Sequence, residues 1–533
     1  MGYTLALDFG TTNSVLAVWN TTEGRADLLH LPTLSLDHAV LPPLIPSLLY
    51  VRQGAQPDLV VGQAVRAAGL DKSRDRRLFR NFKRGVVTLP LPAPRLLDET
   101  AWGDREAGRA FLTALSGALP FSTAEVDQLV ITAPITAFDH YLDWLRDALE
   151  SLGFPSERVR VMDESTAAAL GYAVRSPGAP LLVVDFGGGT LDLSLIQLPQ
   201  RRERVGGLLN VLRRGETANY TARVIAKGGR LLGGSDIDQW LMQAVLGLAN
   251  LDAATLGDDT TALLTACEAA KIALSTTDQT NIAFTVGGTA YHVQITRAML
   301  ESVLDQRGFF STLRHLIDKL MHEAGREGIF TEDIRHVLLV GGTALIPSVQ
   351  RALHQYFRKA ELYADKPFTA VVEGALEAVQ GISLEDFLVN SYGLRHLDPQ
   401  TGAHGYEEII PMGSRYPSTQ PYEVLLGAAH DGQTELEFVI GMIDAESAAM
   451  VEIGYEDGRA VFLARADAQA NRVIALNEFA PPICVPLDPP ATLGEDRIRA
   501  AFRVDGEKRL RVTVTDLKTR RTLLQDMFVV ALR

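Results

Sequence analysis

The chain has 533 residues, 47% of them hydrophobic and 22% charged, a globular balance that excludes both a disordered chain and a membrane bundle. Its formal net charge of −14 argues against nucleic acid as the main partner, because counterion release at phosphates needs a basic face. No apolar run reaches the ~18 to 20 residues that span a bilayer. The start, MGYTLALD, lacks the basic and long apolar regions of a signal peptide, and Ala6 stands where a myristoylation signal needs Ser or Thr. No membrane partner and a cytoplasmic location are therefore expected. The two cysteines, Cys267 and Cys484, lie too far apart in sequence to suggest a metal cluster or disulfide framework, which fits a reducing compartment.

In chain order, an apolar strand over Leu5 to Leu7 leads into TLALDFGTTNSVLAVW, Thr4 to Trp19. The stretch DKSRDRRLFRNFKRG, Asp71 to Gly85, is strongly basic and reads as a solvated helix face. A strand over Leu129 to Ile131 precedes the helical pattern AFDHYLDWLRDALESLGF. Another over Leu181 to Val184 opens LLVVDFGGGTLDLSLI, which writes the first stretch again. The helical pattern ACEAAKIALS and a strand over Val337 to Val340 follow. This alternation up to about residue 380 predicts α/β layers. Beyond SLEDFLVNSYGL the character changes to short alternating runs, ELEFVIGMI, IRAAFRVD and RLRVTVTDL. Asp505-Gly506 between two such runs is a hairpin signal, so a separate C-terminal β domain is expected. The Pro-rich PPICVPLDPP is expected to be loop.

Hairpins with Gly-rich turns are common, but the repeated order of strand, Asp-Phe-Gly, small polar residues and strand points to one shared job. In each copy an Asp, Asp8 or Asp185, ends a buried strand. There its carboxylate can hold hydrated Mg2+, a hard cation that keeps several waters. The residues that follow have little side chain, so their backbone N–H groups can approach phosphate oxygens closely. The hydroxyls of Thr11, Thr12 and Thr190 can donate to the same oxygens. Two such hairpins facing each other across a cleft would clamp a polyphosphate and its metal from both sides, as phosphoryl transfer requires. No G-x-x-x-x-G-K-[ST] run occurs, which excludes a P-loop protein.

The paired hairpins resemble the actin, hexokinase and heat-shock chaperone superfamily. Further motifs narrow the resemblance to the seventy-kilodalton heat-shock chaperones of DnaK type. RVMDESTAAALGYAV resembles that family's first connecting helix and LLGGSDIDQWL its glycine turn. CEAAKIALS resembles its adenosine-side helix and VLLVGGTALIPSVQ its adenosine loop. The β region with YPS and FRVDGEKRLRVTVTD is similar to its substrate-binding β-sandwich. The resemblance implies a two-lobed actin-like ATPase domain over 1–380, a linker over 381–390 and a β-sandwich over 391–533.

It further implies ATP/ADP and Mg2+ as cofactors, with Asp8 and Asp185 holding the metal through water. Gly10, Thr11, Thr12 and Asn13 would bind phosphates, as would Gly187, Gly188, Gly189 and Thr190, with Thr190 near the γ-phosphate. Lys83 matches the family's catalytic lysine, whose ammonium can orient the attacking water and neutralise charge on the transferring group. Glu164 and Asp192 would complete the carboxylate set. Gly233, Gly234, Gly341, Gly342 and Thr343 belong to the two glycine motifs that would face the nucleotide. Glu268, Lys271 and Ser275, at i, i+3 and i+7 on one helix face, would meet the ribose and adenine.

Several positions depart from the family's pattern. Ile272 and Leu345 stand where two arginines usually sandwich the adenine, a loss of cation–π attraction of ~1 to 2 kcal/mol that predicts weaker nucleotide binding. Leu142 replaces an arginine that, with Pro134, relays the nucleotide state. Phe368 replaces an adenosine-side aspartate. GISLED keeps only Ile382 and Leu384 of the usual run of linker leucines, although Asp386 is retained. The sequence runs to Arg533, just after the last β runs, so a β domain without helical lid is expected. Leu394, Leu397, Leu436 and Phe438 are candidates to line its peptide groove, with core packing as the alternative.

The leading expectation is an ATP-hydrolysing chaperone that binds unfolded or extended apolar polypeptide, with a J-domain co-chaperone and a nucleotide-exchange factor as possible partners. Arg160 and Asp386 match the positions where J-domain partners act. The alternatives are a small-molecule kinase of the same superfamily and a non-hydrolysing, nucleotide-gated scaffold.

Overall fold

A computed structural model describes residues 2–532 except 39–40, 56–57, 74, 89, 136–138, 173–177, 199–219, 381, 398–401, 445–450, 457–458, 465–471, 478–482 and 507. The chain divides into two compact units, Met1–Ser383 and Leu384–Arg533.

The first unit is α/β and internally duplicated. Strands Tyr3–Asp8 and Asn13–Asn20 form an antiparallel hairpin that sets Asp8 opposite Val15. On one flank run the parallel strands Val126–Ala133 and Val159–Asp163, and on the other the antiparallel strand Arg25–Leu28. The second sheet repeats that order. Its hairpin is Pro180–Phe186 with Leu191–Gln197, flanked by the parallel strands His336–Val340 and Glu361–Tyr363 and by the antiparallel strand Tyr220–Arg230. Parallel strands covered on both faces need continuous apolar runs, and Leu129, Val130 and Ile131 are all buried. The repeat visible in the sequence is thus a repeat of strand order, with each Asp-Phe-Gly at the same corner of its sheet.

The phenylalanine of each motif anchors its corner. Phe9 is fully buried and stacks near Phe82, Phe111 and Trp144, with ring centroids 6.1, 5.9 and 6.3 Å away. Phe186 stacks on Phe309 at 5.3 Å. Trp144 comes from helix Asp139–Ser151, where Tyr141, Trp144, Leu145, Ala148 and Leu149 recur at helical spacing and are all buried. Aromatic pairs at these distances add directional attraction to the area they bury, so each turn is fixed from beneath while its aspartate stays at the cleft.

Two helices, Glu164–Leu170 and Ala370–Ala378, cross in close contact. A methyl group at Gly374 would overlap the Ala167 carbonyl oxygen, and one at Gly171 would lie 3.2 Å from the Ala370 carbonyl oxygen. Alanine favours a helix over glycine by ~1 kcal/mol, but a backbone oxygen cannot swing aside as a side chain can. The overlap should therefore win. Gly374→Ala is expected to destabilise the unit by ~1 to 3 kcal/mol in urea denaturation; a neutral or stabilising result would show that the crossing is looser than this.

In the second unit, all regular structure among the described residues is strand. One antiparallel sheet orders His404–Ile410, Ser391–Leu397, Ile440–Asp444 and Arg472–Ala475. A second orders Tyr422–Gly427, Asp496–Val504, Arg509–Asp516 and Thr522–Ala531. Residues of both sheets, among them Tyr392, Met442, Phe502 and Val512, share one core. Strand Ile382–Phe387 occupies most of the segment expected as linker and pairs through Asp386 and Phe387 with Tyr416 and Arg415.

One local expectation is corrected. The described part of PPICVPLDPP is not loop but strand Ile483–Ala491, paired with Gln433–Phe438. Val485, Leu487 and Ala491 turn inward, and among the described residues the strand pairs only with Gln433–Phe438, an edge position of the kind where missing proline N–H groups are tolerated. The hairpin at Asp505-Gly506 does form, with Val504 opposite Leu510. Its left-handed residue, however, is Lys508 at φ 57° rather than Gly506.

Candidate functional site

The two Asp-Phe-Gly turns of the first unit meet. A methyl group at Gly188 would overlap the Thr12 hydroxyl, and one at Gly189 would lie 2.5 Å from Thr11 Oγ1. Only glycine permits this approach. The first turn is braced by Ser47, whose Oγ donates to the Gly10 carbonyl at 2.7 Å and whose N–H donates to the Thr12 carbonyl at 2.9 Å. Strand Ile45–Pro46, just before it, pairs with Asn13 and Ser14. The second turn closes on itself through Gly187 N–H to Thr190 O, 3.1 Å.

The other two glycine motifs support that second turn. Gly234 N–H and Ser235 N–H donate to the Gly187 and Gly188 carbonyls at 3.0 and 2.9 Å. Thr343 Oγ1 also donates to Gly187 O, at 2.9 Å. Gly341 adopts φ 80°, and a methyl there would overlap the Phe186 carbonyl. Gly233 likewise lies against the Gly188 carbonyl. Gly10, Gly187–Thr190, Gly233, Gly234, Gly341 and Thr343 therefore belong to one cradle.

Acids and one lysine collect behind the turns. Lys83, from helix Phe82–Val87, is 4% exposed and its Nζ donates to Glu164 Oε1 at 2.7 Å. The Phe9 ring centroid lies 5.7 Å from the same ammonium. Burial disfavours the charged lysine, but Glu164, Tyr141 and Asp8 together outweigh it and push the Lys83 pKa upward. Asp8 accepts from Thr132 Oγ1 at 3.1 Å. Burial, reinforced by Glu164, raises its pKa to about 7, against the pull of Lys83 and Thr132. Asp185 and Asp192 face each other across the second hairpin. Both are pushed well above the usual carboxylate range, first by burial and then by Glu164. No oxygen of Asp192 accepts a well-formed hydrogen bond among the described residues, although the nearby Thr190 hydroxyl pulls its pKa back towards the usual range.

This donor set fits a divalent cation held through water. Buried carboxylates raised by burial and by the charge of Glu164 are groups whose charged forms a cation would stabilise. Among the described residues no three His, Cys, Asp or Glu side chains are close enough to ligate one metal directly, which suits an ion that keeps its own waters. The cradle above, whose glycines leave room for close approach to the backbone, suits phosphate oxygens.

The adenosine-side candidates are engaged within the protein. On helix Thr260–Leu274, Glu268 pairs with Arg80 at 2.8 Å. Lys271 turns inward to Asp238 and to the Gly234 carbonyl, both at 2.8 Å. Ser275, just beyond the helix, donates to the Lys271 carbonyl. Ile272 is 62% exposed, Leu345 is half-buried, and Phe368 packs against Gly342.

The basic run is not one solvated helix face. It is split among a short 3-10 turn Leu70–Lys72, strand Leu78–Arg80 and helix Phe82–Val87. Three of its arginines find carboxylates: Arg77 pairs with Asp98, Arg80 with Glu268 and Arg84 with Asp236. Asp236 also caps Gly233 N–H, so Arg84 reaches the second glycine turn. The sequence reading missed these ties and a further buried pair, Lys227–Asp163, 2.9 Å apart. A lysine directly after the apolar run VIA, Val224 to Ala226, was the available signal.

In the second unit the four groove candidates separate. Phe438 and Leu394 are core residues, 0% and 4% exposed, Leu436 packs against the same core, and Leu397 is 40% exposed. The first two are thus corrected to core packing. Asp386 is buried and accepts from Tyr416 Oη and from the Phe387 amide, each at 2.7 Å. Arg160 and Leu142 are both partly buried in the first unit.

The match of fold and site is mirrored by comparison with known proteins. The family model described as Hsp70 protein matches residues 110–401. The chain is 26% identical to the chaperone protein DnaK of Thermotoga petrophila, over 97% of this chain and 78% of the relative. It is likewise 26% identical to that of Thermosipho africanus and 25% to that of Thermosipho melanesiensis, with the same shares covered. The chain belongs to the Hsp70 protein family. No helix among its described residues is long and apolar enough to cross a membrane.

The raised Asp8 pKa carries a sign. Asp8 holds its proton more tightly folded, at about 7, than at its ordinary value of 3.8. Its contribution to stability is therefore full at pH below that ordinary value and is lost as pH rises through about 7. In metal-free buffer, the melting temperature of the wild type should fall more steeply between about pH 5 and 8 than that of Asp8→Asn. Parallel curves would remove Asp8 from this balance.

Proposed function

We propose that the chain is an ATP-hydrolysing chaperone of Hsp70 type that binds extended, apolar polypeptide transiently through its second unit. The meeting of the two Asp-Phe-Gly turns over the Lys83–Glu164 pair is the observation that carries the reading. Bound ATP with hydrated Mg2+ would supply the phosphoryl group and the charge neutralisation that its transfer needs.

The chain's own residues do the rest. The backbone amides around Gly10–Asn13 and Gly187–Thr190 would hold phosphate oxygens, Asp8 and Asp185 would hold the metal's waters, and Thr190 would offer its hydroxyl to the phosphates. Lys83, kept charged by Glu164, orients the attacking water and offsets negative charge that grows in the transition state. Asp192, buried opposite Asp185 in the second hairpin, is the carboxylate proposed to accept a proton from that water. Glu268, Lys271, Ser275, Ile272, Leu345, Gly342 and Thr343 lie on the adenosine side. Use of Glu268 or Lys271 there competes with Arg80 and Asp238.

Several features favour this reading over a small-molecule kinase or an inert scaffold. Family membership and the appended β unit point away from a kinase, while retention of Lys83 and the four acids supports hydrolysis. Extended polypeptide bound to a β unit would use strand-like main-chain hydrogen bonds. A J-domain partner and a nucleotide-exchange factor are proposed with it, as is a cytoplasmic location. Engagement of Asp386 by a partner would require its release from Tyr416.

The test is phosphate release from Mg-ATP by the purified full chain, with and without an unfolded polypeptide. Turnover that rises with the polypeptide supports the chaperone reading. Lys83→Ala should lower turnover by at least ~10²-fold while nucleotide affinity stays within about tenfold, as for a group acting mainly in the transition state. Unchanged turnover in that variant would take Lys83 out of the mechanism.

A further inference from the structure

Glu164 begins the crossing helix Glu164–Leu170, and the residue before it, Asp163, ends strand Val159–Asp163 of the first sheet. An aspartate at that position ordinarily caps its helix by accepting from the second or third amide. Asp163 makes no such capping bond. Its carboxylate is drawn instead to Lys227 Nζ, 2.9 Å away, on strand Tyr220–Arg230 of the second sheet.

The lysine side chain is 2% exposed and the carboxylate 17%. A buried ammonium without a carboxylate is costly, so the pair holds the carboxylate against the pull of the helix amides. Lys227 stands opposite Ser194 in the strand register, and Ser194 Oγ meets Ser165 Oγ at 2.7 Å. The residues on both sides of Glu164 are therefore tied to the second sheet, while Glu164 itself reaches Lys83, which belongs to neither tie.

We propose that Lys227 is a positioning residue for the Lys83–Glu164 pair. By holding Asp163 away from the helix amides it fixes the first turn of the crossing helix and hence where Glu164 points. The inference rests on the hydrolytic reading above for its kinetic consequence, but the placement of Glu164 can be measured without it. Lys227 is tied to the carboxylate of Asp163, the residue before Glu164, and its effect on Glu164 is proposed to pass through that carboxylate.

The test uses the full chain with Lys227→Met, which keeps the length of the side chain and removes its charge. Supporting residues of this kind commonly cost 10- to 100-fold when lost. Single-turnover phosphate release should therefore fall by about that factor, with ADP affinity by calorimetry nearly unchanged. Lys227→Arg should restore most of the rate, because a guanidinium can still reach the carboxylate.

A purely structural role is separated by the double variant Asp163→Asn with Lys227→Met. It buries no unpaired charge, and asparagine is as good a helix cap as aspartate. Melting temperature should recover while the rate stays low; recovery of the rate together with stability would overturn the proposal. The measurement independent of activity is a nucleotide-free crystal structure of the Lys227→Met or the double variant. It should show position 163 accepting from a first-turn amide and the Lys83–Glu164 separation opened from 2.7 Å to beyond about 4 Å. An unchanged separation would overturn the positioning role. If the wild type hydrolyses no ATP, the hydrolytic reading falls and this distance alone decides the role of Lys227.

Discussion

A lysine buried beneath a cleft of acids can stay charged only if its carboxylate partner is held in place, because an ammonium out of water without a partner is costly. Lys83 and Glu164, 2.7 Å apart and almost wholly buried, meet that condition from two directions. Lys83 comes from a short helix whose Phe82 packs against Phe9. Glu164 comes from the helix that crosses Ala370–Ala378 at Gly374. Each half of the pair is therefore set by close packing of its own element. Within the pair it is Lys83 that favours the charged forms of Asp8, Asp185 and Asp192, against burial and the charge of Glu164.

The duplication explains why the chain writes Asp-Phe-Gly twice. Each residue of the motif has a separate duty: the aspartate faces the cleft, the phenylalanine locks the corner into its own core, and the glycines let the two turns touch. Because the two sheets share one strand order, the turns arrive at equivalent corners. Membership of the Hsp70 protein family, established by the match over 110–401, is consistent with this geometry. The departures at Ile272, Leu345 and Phe368 fall outside the Asp-Phe-Gly motifs and the Lys83–Glu164 pair.

Much of this was legible in the sequence because it is local. The strands over Leu5–Leu7, Leu129–Ile131, Leu181–Val184 and Val337–Val340 all fall inside observed strands, since a continuous apolar run has few other uses. Ion pairs between distant residues were not legible. Arg80 and Glu268 are 188 positions apart, and Lys227 and Asp163 are 64 apart. Without the fold, a charge run such as Asp71–Gly85 looks like a wetted surface. The strand Ile483–Ala491 was hidden by its prolines, whose turn preference masked the inward alternation of Val485 and Leu487. Leu394 and Phe438 show another limit: alternation marks the apolar positions of a strand but not which of them meet a core rather than a groove.

The central claim is that the two turns hold one ion and one polyphosphate between them. It is tested most directly by calorimetric titration of ATP, with and without Mg2+, into the wild type, Asp8→Asn, Asp185→Asn and the double variant. If both carboxylates hold the waters of the same ion, each single variant should lose most of the Mg2+-dependent gain in affinity. The double variant should then lose little more than either, because groups acting as one unit are not additive. Losses that add in full, or an affinity for ATP that Mg2+ does not change in the wild type, would contradict the account.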